Sequence, residues 1–231
     1  MKNLTGYPSI DKPQNNGYSF TAKHPIIPNM SVYNSIKLIN TLYGKKDAID
    51  CIDLTANYDQ LFSDSVTISR ALKELGAKKG DIISVCMPNY YQAVATFMAC
   101  NRIGAVTTFL NASAPDEEIC DYINDFESPI FINFDKTREE NEKIKRNTNV
   151  RYIITLDKEK TNTLSLNDNY RVTCNDTFID FHSLESISKF QKKGMASNSG
   201  KDNSLILFTS GTTGKPKSVV LTNENILAAG T

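Results

Sequence analysis

Leu205-Ile-Leu-Phe-Thr-Ser-Gly-Thr-Thr-Gly-Lys-Pro-Lys-Ser-Val-Val-Leu221 sets two apolar, strand-like runs around a loop of hydroxyls, glycines and lysines. Gly211 and Gly214 lack a Cβ, so the backbone there can take positive φ and bring its N–H groups close to a ligand. Thr209, Ser210, Thr212 and Thr213 add hydroxyl donors, and Lys215 and Lys217 add positive charge that strengthens hydrogen bonds to anionic oxygens. Pro216 fixes its own φ and biases Lys215 towards extended geometry, which stiffens the return into the second run. An ordinary hairpin needs only one or two turn residues, whereas this loop packs its polar groups contiguously between two strands that read as buried. The composition suits a polyphosphate. The P-loop pattern G-x-x-x-x-G-K-[ST] does not fit, because Thr209 stands at its first glycine, Pro216 follows Lys215, and a strand follows where that motif opens a helix.

Upstream, the chain alternates strand and helix patterns. Ser31 can cap a helix over 31–42, residues 48–53 read as a short strand, and 59–75 place Leu61, Ser65, Ile68, Leu72 and Leu75 on one helical stripe that stops at Gly76. Apolar runs at 82–87, 105–110, 130–134 and 152–156 are separated by helical patterns at 90–103, 115–126 and 136–146. Nearly continuous apolar strands in βαβ alternation predict an α/β fold with a predominantly parallel sheet and helices on both faces, because such strands are covered on both sides. In residues 136–146 the charges alternate in sign, and Glu139 with Lys143 and Glu142 with Arg146 form i,i+4 pairs, so a solvated helix face is expected. Polar residues 158–177 and 186–204 read as surface loops.

The domain division that follows is an extended arm at 1–28, a first α/β subdomain at 29–185, a linker at 186–204, and the start of a second subdomain at 205–231. The arm holds four of the eight prolines.

Twenty-six basic residues balance twenty-six acidic ones, so nothing steers the chain to nucleic acid or to an anionic membrane. With 40% hydrophobic residues, no secretory leader and no membrane-length apolar run, the composition predicts a cytoplasmic globular protein with a small-molecule partner. The five cysteines include no C-x-x-C pair, and Cys86 and Cys100 read as buried hydrophobes. His24 and His182 lack metal-type companions, so no metal ligand is assigned.

Residues 208–219 resemble the signature [YF]-T-S-G-[ST]-T-G-x-P-K-G-V of the adenylate-forming (AMP-binding) superfamily, the acyl- and aryl-CoA synthetases, luciferases and peptide-synthetase adenylation domains, departing only where Ser218 replaces glycine. Residues 80–89, 101–111 and 115–118 are similar to its upstream blocks, and 54–61 to a weak early motif. The resemblance places the chain in the N-terminal part of the large domain of such an enzyme. It implies an AMP-forming acid–thiol ligase that uses ATP and Mg2+, activates a small carboxylic acid as its adenylate, and passes the acyl group to a thiol such as CoA. It implies phosphate contacts from Thr209, Ser210, Gly211, Thr212, Thr213, Gly214 and Lys217, with Lys217 at the family's lysine position. The adenine pocket, the magnesium ligand, the ribose-binding aspartate and a C-terminal catalytic lysine are expected beyond Thr231, so the chain reads as a fragment that folds without turning over substrate. Acyl-CoA synthetase is the favoured branch. An amino-acid adenylation domain and a non-catalytic nucleotide-binding remnant are the alternatives.

Overall fold

The computed structural model describes residues 27–51, 54–162, 176–188, 197–209 and 216–230. In chain order the elements are α1 (Val32–Ile39), β1 (Asp47–Cys51), β2 (Leu54–Asn57), α2 (Tyr58–Glu74), β3 (Ile82–Cys86), α3 (Tyr91–Ile103) and β4 (Val106–Phe109). They continue as α4 (Asp116–Asp125), β5 (Ile130–Phe134), α5 (Arg138–Asn147), β6 (Tyr152–Leu156), β7 (Phe178–Asp180), α6 (Leu184–Ser188), β8 (Asn203–Thr209), β9 (Lys217–Thr222) and α7 (Asn223–Ala229). The described arm begins at residue 27, so the expectation for the rest of 1–28 lies outside the described residues.

Seven strands form one sheet in the order β7-β6-β5-β3-β4-β8-β9, parallel throughout except for the last pair, β8 with β9. A separate antiparallel pair, β1 with β2, stands beside it. The segment read as the start of a second subdomain therefore extends the same sheet.

Alternation along the strands explains why their sequences look continuously apolar. Ile83, Val85, Ile130, Ile132 and Ile154 join the larger core with Leu61, Ile68 and Leu72 of α2 and Met98 and Ala99 of α3. Phe131 and Ile153, on alternate positions of the same strands, join Ile119 and Ile123 of α4 and Ile144 of α5 in a second core. Both faces are thus covered. The stripe expected on α2 is buried in full, and Gly76 takes φ 85° just past the helix end, the left-handed geometry that stops it. Cys86 and Cys100 are buried as expected, and loss of water pushes their thiols up to about 11 and about 12.

Helix α5 differs from the expected charge pattern. Arg138 Nε pairs with Glu142 at 2.9 Å, while Lys143 reaches across to Glu117 of α4 at 3.4 Å. Lys143 is turned towards the neighbouring helix, so the pattern of i,i+4 pairs is not the one read from spacing. Thr137 and Glu140 close the helix start with a reciprocal capping box. Structure the sequence did not announce includes a 3-10 turn at Lys158–Lys160 in the first polar segment, and β7 with α6 between the two polar segments and into the start of the second.

Candidate functional site

The loop of interest connects β8 to β9. The antiparallel register sets Thr209 opposite Lys217, Phe208 opposite Ser218 and Leu207 opposite Val219. The Thr209 hydroxyl donates across the neck to the Lys217 carbonyl oxygen at 3.3 Å. Thr209, Pro216 and Lys217 are all exposed. Of the predicted contacts, Thr209 and Lys217 are therefore brought together across the neck of the hairpin. Ser210, Gly211, Thr212, Thr213 and Gly214 lie outside the described residues.

Strand β9 is the outer edge of the sheet and is exposed along most of its length, with Val219 and Val220 at 40% and 48% of full exposure. The expectation of two buried flanking strands holds only in part. An apolar composition does not bury an edge strand that has no neighbour on its far side among the described residues. Ser218, at the pattern's glycine position, is exposed on this edge.

The base of the hairpin is anchored by a buried polar cluster invisible in local sequence. Asn101 near the end of α3 donates through Nδ2 to Ser204 Oγ of β8 at 2.7 Å and to Asn223 Oδ1 at the start of α7 at 2.6 Å. Its Oδ1 accepts the Tyr33 N–H at 2.8 Å, and Asn223 Oδ1 accepts the Val32 N–H at 3.2 Å. Ser31 Oγ takes the Asn34 N–H at 3.2 Å. The three free donors of the first turn of α1 are thus capped by its own serine and by two asparagines from distant parts of the chain. Asn223 is held in turn by Ser199 and Asp202 carbonyls, and Asp202 pairs with Lys79 at 2.7 Å. The Lys79 bond, followed by the Ser199 N–H, holds the Asp202 carboxyl below its ordinary value. Both hairpin strands therefore start from a fixed base.

A second concavity, of about 370 Å³, opens beyond the carboxyl ends of β5, β6 and β7 and was not foreseen from sequence. Arg138 lies over the Phe178 ring at 3.8 Å, and Lys160 pairs with Asp180 at 2.9 Å on its wall. The carboxyl ends of parallel strands are where open α/β sheets generally hold ligands.

The AMP-binding enzyme family model matches residues 40–231, and the chain belongs to that family. It is 30% identical to the acetyl-coenzyme A synthetase of Vibrio vulnificus (strain YJ016) over 186 residues, covering 78% of this chain and 28% of that protein. It is 33% identical to the acetyl-coenzyme A synthetase of Coprinopsis cinerea over 177 residues, covering 74% of this chain and 26% of the relative. The chain therefore spans about a quarter of the length of these curated relatives. Among solved structures, the anthranilate CoA ligase AuaEII in complex with anthranoyl-AMP superposes with a TM-score of 0.68 at 16% identity, covering 85% of this chain and 35% of that one. VinN in complex with 3-methylaspartate gives 0.65 at 20% identity, covering 87% of this chain and 50% of that one. These likenesses establish the fold as that of the adenylate-forming enzymes.

Proposed function

We propose that the chain supplies the phosphate-gripping hairpin of an ATP-dependent, AMP-forming acid–thiol ligase, with a small carboxylic acid and CoA as its other substrates. The single observation that carries this reading is the family match running through residues 205–221, on a hairpin whose register sets Thr209 and Lys217 face to face at an exposed mouth. In the reaction a carboxylate oxygen attacks the α-phosphorus of ATP, and the bond from that phosphorus to the bridging oxygen breaks. Pyrophosphate leaves with additional negative charge, and a thiol sulfur then displaces AMP from the acyl carbon. The amides and hydroxyls of 209–214 and the Lys217 ammonium hold the departing phosphates and offset that charge, which is electrostatic positioning without covalent chemistry.

Among the described residues no group of three or more His, Cys, Asp or Glu side chains is arranged to hold a metal ion. No residue of this chain is assigned to magnesium, and no step is routed through it. Likewise, no described helix is long and apolar enough to cross a membrane.

Carboxylate-dependent ATP–pyrophosphate exchange by the gene's full product tests the reading, with acetate, longer fatty acids, aromatic acids and amino acids as substrates. Lys217→Ala is expected to slow exchange about 100-fold, the scale of removing one preorganised donor to developing charge. Exchange undiminished in that variant removes Lys217 from the site. Exchange only with amino acids moves the protein to the amino-acid-activating branch.

A further inference from the structure

The hairpin is longer than its support from the sheet. Strand β4 pairs with β8 at two positions, Thr107 with Leu205 and Thr108 with Ile206. Beyond Ile206, residues 207–209 pair with 217–219 of the edge strand, so among the described residues the upper hairpin is a two-stranded ribbon. Such ribbons are marginal alone in water. Something else must set its direction.

That support is aromatic. Phe208 turns to the face opposite Leu207 and Thr209, and its ring lies 4.5 Å from that of Tyr122 at an interplanar angle of 51°. Phe126, at the end of α4, stands 6.1 Å from Phe208 and is stacked nearly parallel to Tyr122 at 6.4 Å. The Tyr122 hydroxyl donates to Glu118 Oε1, one turn earlier on α4, at 3.1 Å, which fixes the ring. Tyr122 and Phe208 both pack on the core cluster that contains Ile119, Cys120 and Ile123. The chain of contact therefore runs from a buried helix face through Tyr122 and Phe208 to the residue next along the strand, Thr209, and across the neck to Lys217.

We infer that Tyr122 is a positioning residue for the phosphate loop: by seating Phe208, it fixes the direction in which the upper hairpin presents Thr209 and Lys217. The inference rests on the reading of the loop as the ATP phosphate site. Tyr122 touches no substrate in this scheme and acts only through Phe208. Because an ångström of misplacement at a binding group costs up to about 100-fold in function, the ring contact is expected to register in nucleotide affinity.

The test uses the gene's full product as wild type, Tyr122→Phe, Tyr122→Leu and Tyr122→Ala. Amide hydrogen exchange is measured at residues 207–209 and 217–219, with β5 and β6 as internal reference, and ATP affinity is measured by calorimetry. Tyr122→Ala is expected to speed exchange of the upper hairpin and to weaken ATP binding, each about 10-fold, while β5 and β6 keep their protection. Tyr122→Phe keeps the ring, loses only the Glu118 bond, and is expected to restore both. Tyr122→Leu keeps the cluster filled and so folds even where alanine does not; lacking the ring, it is expected to behave as Tyr122→Ala. Unchanged exchange and unchanged ATP affinity in Tyr122→Leu overturn the positioning role and leave the phosphate reading standing. Absence of ATP binding by the folded wild type overturns the phosphate reading itself, and with it the role given to Tyr122.

Discussion

Replacing Asn101 with alanine tests how the hairpin's base is secured. The side chain is 2% exposed and makes three hydrogen bonds, to the Tyr33 N–H, to Ser204 Oγ and to Asn223 Oδ1. A net value of about 1 kcal/mol per intramolecular bond sets the loss at ~3 kcal/mol. The partners cannot easily recover it. Tyr33 is fully buried, and Asn223 is locked by its own donations to Ser199 and Asp202. With a urea slope of about 3 kcal/mol per molar for a chain of this size, the unfolding midpoint followed by circular dichroism should fall by about 1 M. Asn101→Asp sharpens the test, since a carboxylate keeps the bond to Tyr33 but sets an acceptor against the Asn223 acceptor. Its stability relative to wild type should improve as pH falls and the buried carboxyl takes up a proton. A midpoint shift below about 0.3 M for Asn101→Ala, equivalent to less than 1 kcal/mol, refutes the view that this cluster carries the hairpin's base.

Two further substitutions probe the scaffold. Gly104, just past α3, has φ 78°, and a Cβ there would lie 2.5 Å from Asn198 Oδ1 and 2.9 Å from Lys79 Cγ; Gly104→Ala should therefore cost about 2 kcal/mol in chemical denaturation, and a neutral result contradicts the geometry. Asp64 accepts bonds from Tyr91 Oη at 2.7 Å and Gln60 Nε2 at 2.9 Å, yet burial, its largest influence, raises its carboxyl above the ordinary value. Because the folded state then binds its proton more tightly than the unfolded chain, wild type should gain stability relative to Asp64→Asn as pH falls from neutrality through that raised value. The gain should level off below the ordinary carboxylate value of about 3.9, and a gap independent of pH over this range contradicts the assignment.

The parts of the fold that were legible are those whose burial is written into neighbouring residues. Strands at 130–134 and 152–156 match β5 and β6 residue for residue, because both faces are covered and most of each run is apolar. Ser31 and Gly76 act at helix ends by local chemistry. Strands β2 and β7 escaped notice because four and three residues are too few for a period, and both sit at sheet edges with mixed burial. The site itself divides in the same way. The loop's chemistry is a contiguous pattern, whereas its supports come from residues far apart in sequence: Asn101 lies 122 positions from Asn223, and Tyr122 meets Phe208 only through the tertiary fold. The half-exposed Val219 and Val220 show the converse, an apolar run whose composition says nothing of its place at the sheet's edge.

A crystal structure of the gene's full product with a non-hydrolysable ATP analogue addresses the phosphate-loop reading most directly. The account predicts β- and γ-phosphate oxygens within about 3 Å of the loop amides between 210 and 214 and of the Lys217 ammonium nitrogen. A nucleotide bound elsewhere, with the donors of that loop already satisfied by protein groups, would contradict it.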